Sequence, residues 1–175
     1  MNDPIRPDTA AFRRAMSLWA TGVTVVTTRS AGRDLGLTVN AFLSVSLRPP
    51  TVLVSVGSDT NSSIGIRETR RFAISILRAD QEEISVRMAG PPEGPAKFDG
   101  LPVRRSPAGL AWIEGALATF ECEVGSEFRV ADHWLFLGEV VALEVGADGL
   151  PLIFYRSRYG EVTGPRQVRL PLRKR

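Results

Sequence analysis

The chain has 175 residues with 22 Lys and Arg, 19 Asp and Glu, one His and one Cys; lone Cys122 and lone His133 exclude an internal disulfide and any metal centre built on several cysteines or histidines. Five basic residues and no acid lie between Gly164 and Arg175, so the body holds 17 basic against 19 acidic residues and the net +3 belongs to the tail, which argues against a nucleic-acid-binding face on the fold. The length suits one domain, residues 1–163, with 164–175 as a basic tail; without a signal-peptide core or an apolar run near the ~20 residues of a membrane span, a cytoplasmic protein is expected.

Asp8 is placed to cap a helix from Thr9, on which Phe12, Ala15, Met16 and Trp19 form one apolar stripe. Val23–Thr28 is rich in β-branched residues and predicts a strand, answered after the SAGRD turn by Leu35–Val39. Phe42–Ser46 alternates polar and apolar side chains; with Pro49-Pro50 after it, it reads as a half-buried edge strand or an extended loop. Strands are predicted at Thr51–Val56 and Phe72–Leu77, with a short helix near Ile64–Thr69 between them. Asp80 and Glu83 have the spacing of a capping box for a helix reaching about Met88. Residues 89–102, rich in Gly and Pro, read as a loop. Strands follow at Ala116–Val124, at Trp134–Val145 with Gly138 as a bulge, and at Leu152–Tyr155. Six or more strands, few helices and short connections predict a mainly β fold, an antiparallel barrel. There is no G-x-G-x-x-G and no P-loop pattern.

Four stretches are candidates for chemistry. In Gly36–Val56 the small polar residues Thr38, Asn40, Ser44, Ser46 and Ser55 alternate with apolar ones. Such a surface offers hydroxyls and backbone N–H groups to a flat, heteroatom-rich ring; half-exposed antiparallel strands have the same pattern. Thr60-Asn61-Ser62-Ser63 precedes a short helix and would suit a phosphate, or simply cap that helix. Asp132 beside His133 could tune the imidazole, although adjacent strand residues point to opposite faces. Tyr155, Arg156, Arg158 and Tyr159 could stack on rings and contact phosphates, or form a subunit interface.

Taken together these segments resemble the flavin reductase family with the FMN-binding split-barrel fold, the small reductase components of two-component flavin monooxygenases. The resemblance rests on ATGVTVVTT (Ala20–Thr28), GLTVNAFLSVSLRPPTVLVSV, RFAISIL, Lys97-Phe98, GALATFECEV, DHWLFLGEVV and PLIFYRSRYG, which occur in family order over nearly the whole chain. It implies a Greek-key split barrel with a few short flanking helices. Thr38, Val39, Asn40, Ala41 and Phe42 would lie along an isoalloxazine ring. Ser44, Val45, Ser46, Ser55 and Val56 would line the ribityl chain, and Thr60, Asn61 and Ser62 the phosphate. Lys97 and Phe98 would approach the flavin from the loop. His133 would stand beside the nicotinamide as the catalytic residue, with Tyr155, Arg156 and Tyr159 near the dinucleotide. The implied activity is hydride transfer from NADH or NADPH to FMN or FAD, with reduced flavin passed by diffusion to a partner monooxygenase. A homodimer is implied as well. A flavin held tightly and reduced by another donor is the alternative. Many relatives carry Gly before the Asp-His pair, where this chain has Ala131.

Overall fold

The computed structural model describes residues 8–91 and 95–162, so the basic tail at 164–175 lies outside the described residues. Helix α1 (Thr9–Ser17) leads into β1 (Thr21–Gly22), β2 (Thr24–Ser30), β3 (Arg33–Val39), β4 (Phe42–Leu47) and β5 (Pro50–Gly57). Then come α2 (Asn61–Thr69), β6 (Arg71–Ile76), α3 (Glu82–Ala89), β7 (Val103–Arg105) and β8 (Ala111–Ile113). The long pair β9 (Ala118–Val130) and β10 (His133–Val145) is followed by β11 (Ile153–Tyr155) and β12 (Arg158–Gly160).

Seven strands form one antiparallel sheet in the order β3-β2-β6-β9-β10-β5-β4. Its two edge strands, β3 and β4, are neighbours in sequence, joined only by Asn40 and Ala41. In a flat sheet of this size the edges would stand ~29 Å apart, six spacings of ~4.8 Å. The chain from Val39 to Phe42 reaches at most ~11 Å. The sheet must therefore curl until its edges meet, which yields the expected barrel, split between β3 and β4. A second small sheet, β1-β11-β12, lies apart from the seven strands, as does the β7-β8 hairpin.

The strand alternation fills the barrel. Val52, Val54 and Val56 of β5 point inward with Val26, Phe72, Ile74, Cys122 and Phe136. Each such side chain contributes about 1.5–3 kcal/mol on full burial. Burial pushes the Cys122 thiol up to about 12, with the Glu121 charge adding to it, so this Cys is a core residue and no nucleophile. A second cluster, with Val25, Leu77, Met88, Ile113 and Leu152, fills the space between β2 and α3. The hydroxyls of two buried threonines of β2 are engaged: Thr24 donates to the Val39 carbonyl and Thr27 to that of Ala111, each at 2.6 Å.

Three local expectations need correction. Helix α1 forms, capped by Asp8 Oδ1 accepting from Ala11 N–H at 2.6 Å, but it ends at Ser17, so its stripe holds Phe12, Ala15 and Met16 and Trp19 lies beyond it; no α1 residue is buried, and Phe12 is 58% and Trp19 71% exposed. The helix precedes the barrel, and among the described residues no other element buries its apolar face. The capping box is not Asp80 with Glu83. Asp80 binds the Arg78 guanidinium at 2.6 and 2.7 Å, and it is Gln81 Oε1 that accepts from Arg78 N–H at 3.0 Å. Within the Gly/Pro-rich stretch, residues 95–98 make a 3-10 turn that takes Lys97 into the interior. Among the described residues no helix is long and apolar enough to cross a membrane.

The bulge expected at Gly138 forms instead on the facing strand: Leu137 pairs with Ser126 and Gly138 with Val124, so the extra residue is Gly125 of β9. Gly138 itself is required by close packing. A Cβ there would lie 2.5 Å from the Phe72 ring and 2.8 Å from Cys122 Cβ, so only Gly fits. Gly138→Ala is expected to lower stability by about 2 kcal/mol and Tm by about 4–8 °C. An unchanged Tm in calorimetry would show that Phe72 moves aside without cost.

Candidate active site

The split in the barrel opens a cleft of about 680 Å³. Asn40, Ala41, Phe42 and Leu43 form one wall, Leu53 the floor, and Met16, Trp19, Thr21 and Thr24 the opposite side. Asn40 and Ala41 are exposed because they bridge two strand edges and belong to neither ladder. The Ala41 carbonyl accepts from Ser55 N–H at 3.1 Å, which seats the link on β5. Thr21 Oγ1 is buried in this lining with no hydrogen-bond partner among the described residues. A buried orphan hydroxyl is uncommon and calls for an explanation, such as a ligand that pairs it.

The outer face of β5 leads away from this cleft. Leu53, Ser55 and Gly57 are half-buried on that face while the valines between them face the core. Val39 and Val56 thus have side chains closed off in the barrel, and only their backbones can meet a ligand. Gly57 delivers the chain to the start of α2, ~13 Å beyond Leu53 at the usual strand rise. There Thr60 is the N-cap: its hydroxyl donates to the Gly57 carbonyl at 3.0 Å and accepts from Ser63 N–H at 3.1 Å. Ser62 and Ser63 are buried and Asn61 is exposed. With the Thr60 hydroxyl proton engaged, the α2 start attracts an anion through backbone N–H groups and its dipole end. Ser44 and Val45 are exposed on edge strand β4, and Ser46 Oγ accepts from Arg48 N–H at 3.1 Å beside a bulge.

His133 opens β10 opposite Gly57, so it shares the α2 end of this face. Its Nδ1 lies 2.9 Å from Asp132 Oδ1, in contrast to the expectation that neighbours on a strand diverge. The reason is local. Asp132 is in the turn before the strand, Ala131 has φ +52°, and the Asp132 carbonyl is fixed by Ser58 N–H at 2.9 Å. A carboxylate only accepts, so Nδ1 carries the proton and Nε2 is left for an external partner. The bond from His133 holds the Asp132 carboxyl below the usual carboxylate range. Nearby, Glu127 accepts from Arg67 at 3.1 Å and Arg70 at 2.6 Å, and Arg67 stacks 4.1 Å over Trp134, so α2 is tied to the β9-β10 tip that carries His133.

A second cleft, about 700 Å³, lies against the small sheet and meets the first at Ala20. Tyr155, Arg156, Arg158, Tyr159 and Glu161 line it. Arg156 and Ser157 both take positive φ, +51° and +59°, which matches a two-residue hairpin turn normally made by Asn-Gly. Arg156 N–H donates to the Ser17 carbonyl at 2.8 Å, tying the turn to the end of α1, and its guanidinium lies 5.3 Å from the Tyr155 ring centre.

The remaining candidates stand behind the clefts. Thr38 Oγ1 donates to the Ser85 carbonyl of α3 at 2.6 Å. Lys97, 5% exposed, donates from Nζ to the Met88 carbonyl at 2.8 Å, and Phe98 packs in the second apolar cluster. The structure thus brings Asn40–Phe42 together in one cleft, Tyr155–Tyr159 in another, and Thr60–Ser62 with His133 at the α2 end. The sequence reading missed Thr21 and Leu53 in the lining of the first cleft. A Thr between Ala20 and Gly22 was the one available sign of the first.

Ala131 occupies a backbone state that costs a residue with a Cβ roughly 1–2 kcal/mol. Ala131→Gly is expected to stabilise the protein by about 1 kcal/mol while leaving the Asp132–His133 pair in place. A lowered Tm would show that the turn is held by something other than this conformation.

The same architecture is found in known proteins. A family model described as "Flavin reductase like domain" matches residues 16–163. The chain is 39% identical to an NADH-dependent flavin reductase of a Rhodococcus species, over 85% of this chain and 83% of that one. It is 33% identical to the reductase component of 4-hydroxyphenylacetate 3-monooxygenase from Thermus thermophilus, over 89% of this chain and 97% of that one. The structure of the Streptomyces globisporus NADH:FAD oxidoreductase SgcE6 in complex with NAD and FAD fragments superposes with a TM-score of 0.86 at 31% identity, covering 95% of this chain and all of that one. With an ordered barrel, a cleft at its split and relatives matched along most of their length, the chain belongs to the flavin reductase-like domain family.

Proposed function

We propose that this chain transfers hydride from NADH, or NADPH, to FMN or FAD and supplies the reduced flavin, by diffusion, to a separate flavin-dependent monooxygenase. The observation that carries the reading is the continuous surface from the split to α2. It has a ring-sized apolar slot with a polar rim at one end and a helix start suited to phosphate ~13 Å away. Ser55 lies between them, where a ribityl chain would run. The orphan Thr21 hydroxyl and the Asn40 side chain supply hydrogen-bonding groups to the ring edge, which suits a flavin.

Flavin, when bound, supplies the hydride-accepting ring, so the chain needs no triad, metal or paired carboxylates. Its own residues orient and exclude water. Asn40 and the backbone at Ala41 and Phe42 meet the polar edge of the ring, where donors favour negative charge on its reduced form. Val39, Val45 and Val56 shape the walls through backbone and edge packing. Tyr155, Arg156 and Tyr159 take the dinucleotide in the second cleft, joined to the first at Ala20, so that nicotinamide and ring meet there. Guanidinium groups suit its pyrophosphate.

The functional unit in this reading is a homodimer. Met16, Trp19 and Leu43 are exposed in the lining of the first cleft, Phe12 and Leu47 are exposed on the same helix and strand as Met16 and Leu43, and a second copy would cover them. His133 stands ~13 Å from the ring end within its own chain. Its role beside the nicotinamide is then performed across the dimer. A single free, buried thiol suits a cytoplasmic setting. Residues 1–163 act as one domain, with 164–175 appended to it.

Anaerobic mixing of NADH or NADPH with FMN and FAD tests the activity. Enzyme-dependent bleaching of the flavin is expected with at least one pair; no bleaching with any pair overturns the reading, and protein that stays yellow through gel filtration without reducing added flavin points to a tightly held flavin served by another donor. His133→Ala is expected to raise KM for the nicotinamide about tenfold with flavin KM nearly unchanged. A rise confined to flavin KM would instead assign His133 to the phosphate end of its own chain.

A further inference from the structure

Ser85 and Met88 of helix α3, with Gln81 at its N-cap, are turned inward. Ser85 is wholly buried, at a position where an apolar side chain would pack against Met88 and the second cluster. A buried hydroxyl costs stability unless it is bonded. Here its hydroxyl and its carbonyl are both engaged, by partners from different elements. The Ser85 carbonyl accepts from Thr38 Oγ1 at 2.6 Å, and Ser85 Oγ lies 2.8 Å from the Tyr159 hydroxyl.

Those two partners lead to different clefts: Thr38 stands behind the first and Tyr159 lines the second. Thr38 is one residue from the end of β3, and the chain runs from it directly into Asn40 and Ala41 at the barrel split. Tyr159 lines the second cleft, where its ring meets Phe154 edge-on at 5.3 Å. One turn further along α3, the Met88 carbonyl accepts from buried Lys97, which fixes the end of the helix. Ser85 therefore joins the strand that leads into the wall of one cleft to the wall of the other through a single buried residue.

We propose that Ser85 is a positioning residue for hydride transfer, holding the Tyr159 ring at a fixed place relative to the β3 end so that the nicotinamide lands on the flavin. Apolar packing alone leaves a Tyr free to slide along its neighbours; a short hydrogen bond to a helix does not. A misplacement of an ångström or less at this distance is enough to slow transfer. The role rests on the reading of the two clefts as flavin and dinucleotide sites.

The test is a double-mutant cycle with Ser85→Ala, Tyr159→Phe and both together, read as KM and kcat for NADH at saturating flavin, flavin KM, and Tm. Each single variant is expected to raise KM for NADH or lower kcat by about fivefold, the size of one ordinary hydrogen bond, while flavin KM stays within about twofold. The double variant is expected to be no worse than either single one, because both remove the same bond. Unchanged NADH kinetics in the single variants, with or without a fall in Tm, makes Ser85 a structural residue and overturns the proposal. Additive losses overturn it as well. If Ser85→Ala fails to fold, Tyr159→Phe removes the bond from its partly exposed side and decides the matter alone. Wild-type protein that reduces no flavin overturns the reading of the clefts, and this role with it; active wild type with indifferent variants overturns only the role.

Discussion

Two residues join the outermost strands of a seven-stranded sheet, and the geometry of the molecule follows from that shortness. Asn40 and Ala41 can span only a gap that a curled sheet presents, so closure of the barrel and the place of its seam are set together. At the seam the edges of β3 and β4 are not laddered to each other, which leaves backbone donors and acceptors facing outward. In most proteins such an edge is a liability to be covered. Here it lines a cleft whose other side is supplied by α1 and β1, elements that stand outside the seven-stranded sheet.

The same alternation that fills the barrel also lays out the surface beside the cleft. On β5 the valines go in, and Leu53, Ser55 and Gly57 go out toward α2. A slip of one residue would exchange the two sets. The register against β10 is held from Thr51 opposite Glu139 to Gly57 opposite His133, while the bulge at Gly125 lies on the β9 side. The position of His133 relative to the start of α2 is thus a consequence of strand register, reinforced by Ser58 N–H on the Asp132 carbonyl and by the Arg67–Glu127–Arg70 group.

Much of this was legible in the sequence. The β-branched runs, the edge strand ahead of Pro49-Pro50 and the cap at Asp8 all follow from local rules, and the order of motifs indicated the family; the bulge expected at Gly138 formed on the facing strand at Gly125. What was not legible has physical reasons. A Thr in a polar-apolar alternation looks the same whether its hydroxyl faces a ligand or bonds inward, and Thr38 and Thr60 both bond inward. Alternation also fails where a turn replaces the strand, as the φ of Ala131 shows for the Asp132–His133 pair. The α1 stripe was correct as a pattern, yet periodicity says which face is apolar and not what covers it. Thr21, Lys97 and Ser85 owe their settings to segments far away in the chain, which no local pattern records.

Those buried polar groups explain how so plain a composition can support a demanding geometry. Burial of apolar area is strong but non-directional; it collapses the sheet without fixing one element against another to a fraction of an ångström. Hydrogen bonds contribute only about 1 kcal/mol each to net stability, yet leaving one partner unpaired inside the protein costs about 1–3 kcal/mol. That asymmetry penalises each wrong placement of an element. Thr24 on the Val39 carbonyl pins β2 to the end of β3, and Thr27 on the Ala111 carbonyl pins it to β8. Ser75 Oγ accepts from Ile113 N–H at 3.0 Å and sets β8 against β6, and Thr38 on the Ser85 carbonyl sets α3 against β3. Each of these bonds runs from a side chain on one element to the backbone of another, so each fixes a relative position and not merely a contact. In a protein whose reaction is carried by its ligands, orientation is the main thing the chain has to provide, and these small hydroxyls inside the barrel and behind its clefts are where it is set.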